Sequence, residues 1–142
     1  MANLNEVYEN LKKMINKRDL SEFVNVGSCA CAFITKNNVY YGLNYKAESG
    51  LDRCAEQIAL GNAIMNNDIN FEYIMVYYRT GELITPCGVC RELIAQTGIQ
   101  NLNAKIILSI SPLKTVTLAK ILPNWWGYSR HPEIKKSKKL HK

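Results

Sequence analysis

Three thiols and one carboxylate, carried on two separate segments, constrain this chain more than any other feature. Cys54-Ala55-Glu56 gives a cysteine followed two residues later by a glutamate. Pro86-Cys87-Gly88-Val89-Cys90 gives a Cys-x-x-Cys with a proline in front, and Cys87 lies 33 positions after Cys54. A fold that serves these residues has to bring both segments to one point. Zinc takes cysteine thiolates and prefers four tetrahedral ligands. Cys54, Cys87 and Cys90 supply three, and both histidines, His131 and His141, lie in the C-terminal tail. Three protein ligands leave one position open for water, which is how catalytic zinc is held.

The 142 residues have the length of one domain and suffice to bury a core. A hydrophobic fraction of 47% with 21% charged residues is ordinary for a globular protein. No apolar run is long enough for a membrane span. Glu6 and Glu9 stand where a signal peptide would need apolar residues. Five cysteines, an odd number without scaffold density, suit a reducing compartment. A cytoplasmic location is therefore expected. The net charge of +6 is concentrated at one end: residues 130–142 hold six of the 18 basic side chains and one of the 12 acidic ones, leaving 12 against 11 elsewhere. The expected organisation is a single domain over residues 1–130 and a basic, disordered tail over 131–142. A nucleic-acid-binding tail is the less favoured reading.

Periodicity predicts the order of elements. Leu4, Val7, Tyr8, Leu11, Met14 and Ile15 have helical spacing, with Asn3 or Asn5 as cap. Cys29–Thr35 and Val39–Tyr41 read as a hairpin around an Asn-rich turn. Cys29 and Cys31 share a face and read as buried thiols rather than ligands. Asn44–Arg53 reads as a loop, and a second helix opens at Cys54 with Gly61 inside it. Tyr73–Arg79 and Lys105–Ile110 read as buried strands, separated by a helix from about Gly88 to Gln96. Val116–Leu122 reads as a short helix before the aromatic cluster Trp125-Trp126-Gly127-Tyr128. The fold class is α/β: a three-layer α/β/α sandwich on a mixed sheet of about five strands.

This order puts all three thiols at or near helix N-termini, where free N–H groups and the dipole favour thiolate. Zinc with three thiolates carries a formal −1, which weakens its pull on water. Arg91 and Arg53, each beside a cysteine, are candidates to offset that charge through hydrogen bonds to sulfur; the alternative is a surface ion pair. Glu56 can take a proton from water and return it to a ring nitrogen or a leaving ammonia. Cysteine-x-Glu followed by Pro-Cys-x-x-Cys is the order of ligands and proton shuttle in zinc nucleobase deaminases.

Cys54-Ala55-Glu56 and Pro86-Cys87-Gly88-Val89-Cys90-Arg91-Glu92 resemble the cytidine deaminase superfamily in its three-cysteine form. Val26-Gly27-Ser28-Cys29-Ala30 and Leu122-Pro123 resemble further parts of it, over about residues 23–128. The resemblance implies Zn2+ on Cys54, Cys87 and Cys90, with Glu56 catalytic. It implies a nucleoside substrate, in pyrimidine salvage, and Asn44 on the sugar. It also implies a homotetramer whose sites borrow residues from neighbouring subunits. The family's Asn-x-Glu sugar motif reads Asn44-Tyr45-Lys46 here, and Gln57 replaces the arginine of its Cys-Ala-Glu-Arg. In the sugar motif the chain resembles the blasticidin-S deaminases, which also lack parts of it. Lys46 as a charged donor would suit a sugar bearing a carboxylate, with Trp126 as a cover, whereas Glu48 swinging in would restore ordinary ribose binding. Deamination of a blasticidin-S type substrate is expected first. Ordinary cytidine or deoxycytidine deamination is the alternative, and a non-catalytic zinc module is the alternative from another class.

Overall fold

Period-two alternation along the central strands sets the architecture, which the computed structural model describes for residues 2–136. The elements run α1 (Leu4–Met14), β1 (Arg18–Asp19), β2 (Asn25–Ile34), β3 (Val39–Lys46), α2 (Ala55–Met65), β4 (Tyr73–Tyr78), β5 (Leu83–Ile84), α3 (Gly88–Thr97), β6 (Lys105–Ile110), β7 (Leu113–Thr117) and α4 (Gly127–Arg130). Cys31 and Phe33 of β2, Ile74 and Val76 of β4, and Ile106 of β6 point into one core with α2 and α3. Ala30, Ala32 and Ile34, Met75 and Tyr77, and Ile107 point into the other, with α1. The three layers expected from the sequence are present.

The sheet is mixed. β2 pairs antiparallel with β3 and β4, β4 pairs parallel with β6, and β6 pairs antiparallel with β7. The main order is β3-β2-β4-β6-β7, and the two-residue strands β1 and β5 join β2 and β4. Seven strands therefore stand where about five were expected. The largest difference lies after β6. Val116–Leu122 is not a helix; Leu113–Thr117 is β7, and only Ala119–Ile121 makes a 3-10 turn. Thr115, Val116 and Thr117 are β-branched and favour the strand, and the β6 edge offers them a partner.

Asn3 caps α1, its side chain accepting from the backbone N–H groups of Asn5 and Glu6. Of the segment expected as a tail, Pro132–Lys136 forms a 3-10 turn, and Ile134 packs against the α2/α3 core. Residues 137–142, with the rest of the basic run, lie outside the described residues. No helix among the described residues is long and apolar enough to cross a membrane.

What positions the site is the close approach of α2 to β3. Ala55, Ala59 and Ala63, spaced by four, are buried along one stripe of α2. Gly42 of β3 lies beneath them, and a Cβ there would fall 2.5 Å from the Ala55 carbonyl oxygen and collide with the Ala59 nitrogen. Both obstacles are backbone, so neither can swing aside. Gly42→Ala should cost about 1–3 kcal/mol through overpacking. It should lower the thermal midpoint measured by circular dichroism; an unchanged midpoint would mean that α2 has room to spare.

Candidate active site

Two helix N-termini meet at the site. Cys54 is the N-cap of α2, and Cys87 is the N-cap of α3. Cys90 lies in the first turn of α3 and is only 1% exposed. The three Sγ atoms all lie within 4.8 Å of one another, and those of Cys87 and Cys90 are 3.5 Å apart. A tetrahedral zinc with bonds of about 2.3 Å separates its sulfurs by roughly 3.8 Å, so the trio fits such an ion. The Gln57 side chain closes the cap by accepting from the Cys54 backbone N–H at 3.3 Å. Gln57 thus does capping work where the family pattern has an arginine, a role invisible without the helix start.

The electrostatics suit a bound cation. Burial raises the Cys54 thiol above its ordinary pKa, against a lowering bond from Cys90. Burial raises Cys90 further, with Glu56 adding to it. Burial also pushes Cys87 up, but hydrogen bonds from the Cys90 backbone and from the Cys90 and Cys54 thiols outweigh it and hold Cys87 below its usual value. Three clustered thiols resist becoming three thiolates unaided, and a divalent cation supplies what removes their protons.

Glu56 occupies the first turn of α2, is 5% exposed, and has a carboxyl pKa raised by burial. It faces a cleft of about 360 Å³ that also admits Cys54 and Cys87, within the size range of small-molecule sites. Ser28, Cys29 and Tyr78 line the same cleft. Cys29 and Cys31 share a face of β2 as expected; Cys31 is fully buried, while Cys29 reaches the cleft wall and is not among the clustered thiols.

The remaining predicted site residues divide. Asn44 and Lys46 line the cleft, but on a strand rather than a loop, because β3 continues to Lys46 and pairs with Asn25 and Val26. Asn44 is structurally committed. Its Oδ1 accepts from the backbone N–H groups of Ser28 and Cys29 at 3.0 and 2.9 Å, and its Nδ2 donates to Ser28 Oγ at 2.8 Å. These bonds bridge the register shift between Val26 and Ala30, where the β2–β3 ladder is interrupted. Glu48 is not a lining residue, whereas Asp52 is one that the sequence did not single out.

Neither arginine donates to sulfur. Arg91 donates to the carbonyls of Pro86 (2.7 Å) and Ile121 (3.0 Å) and to Thr85 Oγ1 (3.0 Å). It clamps the segment leading into Cys87. Arg53 lines the cleft and donates to the carbonyls of Gly50 and Asp52. Trp126 stands outside the cleft of its own chain: its indole and that of Trp125 both donate to Glu92, at 2.5 and 2.9 Å.

The family model for the cytidine and deoxycytidylate deaminase zinc-binding region matches residues 2–106. The chain belongs to this family. It is a zinc-dependent hydrolase, and Cys54, Cys87 and Cys90 are positioned to hold the metal. A cytidine deaminase of Mycoplasma genitalium is 28% identical over 125 residues, covering 87% of this chain and 95% of the relative. One of Mycoplasma pneumoniae is 26% identical over 126 residues, covering 85% and 92%. Among solved structures, the cytidine deaminase of Mycobacterium leprae superposes with a TM-score of 0.67 at 20% identity, covering 87% of this chain and 100% of that one. That of Bacillus anthracis gives 0.67 at 13% identity, covering 99% and 100%. These deaminases share the fold.

The purified deaminase should carry one zinc per chain, measured by elemental analysis. Cys87→Ala with Cys90→Ala should abolish it, since a single remaining thiol is no zinc site. Full occupancy in that double variant would place the metal elsewhere.

Proposed function

We propose that the protein hydrolyses cytidine or 2′-deoxycytidine to the uracil nucleoside and ammonia. The observation that carries this reading is the buried Glu56 carboxylate in one cleft with the three-thiol cluster. Zinc bound to the thiols supplies Lewis-acid activation of the attacking water. Glu56 would accept one proton of that water and pass it to the ring nitrogen, then take the second from the newly added hydroxyl and pass it to the departing amine. The water oxygen bonds to the carbon that bore the amino group, the carbon–nitrogen bond breaks, and no oxidant or reductant is needed. Burial suits the shuttle, because a carboxyl pKa raised above its ordinary value lets the protonated form persist long enough to donate.

A second reading rests on Lys46. Its ammonium lines the cleft and accepts no hydrogen bonds, so it would favour a sugar bearing a carboxylate, as in blasticidin S. One assay tests both readings: ammonia release by the zinc-loaded protein from cytidine, 2′-deoxycytidine and blasticidin S. Cytidine should be turned over, and Glu56→Gln should lose about 10²–10⁴ of that rate while keeping zinc and fold. A preference for blasticidin S that Lys46→Glu narrows would favour the second reading. Turnover of none of the three would defeat both.

We also propose a homotetramer. α2 is apolar on most sides: Ala55, Ala59 and Ala63 face the core, yet Ile64 and Met65 are exposed, and among the described residues nothing beyond the helix's own backbone comes within 4 Å of a Cβ built on Gly61. A helix apolar all round is normally covered. Leu51 and Val89, also exposed, flank Asp52 and Cys90 in sequence, so a second copy covering them would stand at the cleft mouth. There Trp126 of a neighbour would have its route to a substrate. Light scattering should give about four times the 16.1 kDa chain mass, and a monomer would refute the assembly.

A further inference from the structure

Beyond the chemistry of the base, the cleft has to recognise a sugar. Lys46 at the end of β3, and Asp52 and Arg53 just before α2, line the cleft together with Asn44. A sugar hydroxyl is both donor and acceptor, so a site that reads it needs an acceptor for its proton. The Asn44 carbonyl oxygen cannot serve, because the Ser28 and Cys29 N–H groups already occupy both of its lone-pair positions. Lys46 has only protons to give. Arg53 is likewise donor-only, and its guanidinium is turned onto the carbonyls of its own loop. Glu56, the other lining carboxylate, belongs to the thiol end.

We propose that Asp52 is the residue that accepts a 2′- or 3′-hydroxyl of the sugar, and so decides whether a sugar-bearing substrate is held. This rests on the nucleoside reading above. The loop carrying Asp52 is closed and fixed. Tyr45 and Arg53 exchange backbone bonds at 3.1 and 3.0 Å, and Leu51 N donates to the Glu48 carbonyl. Ser49 and Gly50 make the reversal with φ of 60° and 72°. Asp52 Oδ1 then accepts from the Ala47 backbone N–H at 2.6 Å, which orients the carboxylate and leaves Oδ2 for a ligand. Lys46 beside it can donate to the hydroxyl oxygen. Together they offer one acceptor and one donor, the complement of a neutral sugar. Neither makes an ion pair within 4.0 Å among the described residues, so the pair is not spent on itself.

The test compares zinc-loaded wild type, Asp52→Ala and Asp52→Asn on cytidine and on 2′,3′-dideoxycytidine. A hydrogen bond to a charged acceptor is worth about ten- to hundredfold. Asp52→Ala should lose that much in kcat/KM on cytidine and less than about threefold on the dideoxy compound. Asp52→Asn, which keeps an acceptor for the Ala47 N–H, should show the same selective loss in smaller measure. Calorimetric binding of both nucleosides to Glu56→Gln and to Glu56→Gln with Asp52→Ala should give the same ratio without turnover. Equal losses on both substrates would make Asp52 merely a loop staple, and no loss would remove it from the sugar; either overturns the proposal while leaving deamination standing. If wild type neither turns over nor binds any cytosine nucleoside, the functional reading falls and this one with it.

Discussion

Everything at the site depends on how closely α2 can lie on β3. A helix normally stands off a sheet by the depth of its side chains. Here the alanine stripe of α2 and the bare Cα of Gly42 remove that depth on both sides. The first turn of α2 is thereby pressed onto the same sheet face that receives α3, and Cys54 and Glu56 arrive level with Cys87 and Cys90. Larger residues on either surface would lift the N-terminus of α2 and separate its one thiol from the other two. Arg91 acts on the second segment in a comparable way. By tying Pro86, Thr85 and Ile121 together it fixes the turn from which Cys87 emerges. The metal ligands are therefore held by backbone placement more than by contacts among themselves.

That arrangement also bears on charge. Three thiolates around a divalent cation leave an excess of negative charge, and no arginine reaches the sulfurs. What remains is the pair of helix N-termini, whose free N–H groups and dipoles point at Cys54 and Cys87. The lowered pKa of Cys87 reflects this locally, since the Cys90 backbone N–H is foremost among the influences that lower it. Glutamine at position 57 is consistent with the same economy: it is a neutral residue that caps the helix start.

The chemical centre was legible in the sequence, because ligand identity and spacing encode it directly: Cys54, Glu56, Cys87 and Cys90 converge as their order predicts. Strands with strong alternation or apolar runs were legible for the same reason. What escaped were residues whose role exists only in three dimensions. β3 was cut short at Tyr41 because Asn44 and Lys46 break the apolar pattern, and they break it because they line a cleft. The end of β7, Val116 and Thr117, read as the start of a helix because so short a pattern is decided by the β6 edge beside it. Asp52 carried no signal, since one aspartate in a polar loop resembles any other until the loop folds back. Arg91 and Trp126 were singled out for roles at the site, but Arg91 bonds the carbonyls of Pro86 and Ile121 and the Thr85 hydroxyl, and Trp126 bonds Glu92; Ile121 and Glu92 lie 30 and 34 residues away along the chain.

The two ends of the cleft work by opposite physics. At the thiol end, burial makes charge expensive, so the Glu56 carboxyl and the Cys29, Cys54 and Cys90 thiols are shifted towards their neutral forms, while hydrogen bonds from Cys90 and Cys54 hold Cys87 the other way. Cys29 illustrates the gradient: burial, with Glu56 and Cys54 nearby, pushes its thiol up to about 12, so it contributes a neutral wall. At the mouth, Lys46, Asp52 and Arg53 are exposed to water. A ligand entering from solvent meets charged donors and an acceptor first, and leaves water behind only as it approaches Glu56. On the proposal above, the polar part of the substrate is recognised by groups that stand open to solvent. The base is delivered to groups whose protonation is tuned by the absence of water. A substitution at the mouth should consequently alter which nucleoside is held far more than how fast a bound one reacts, whereas a substitution at Glu56 should do the reverse.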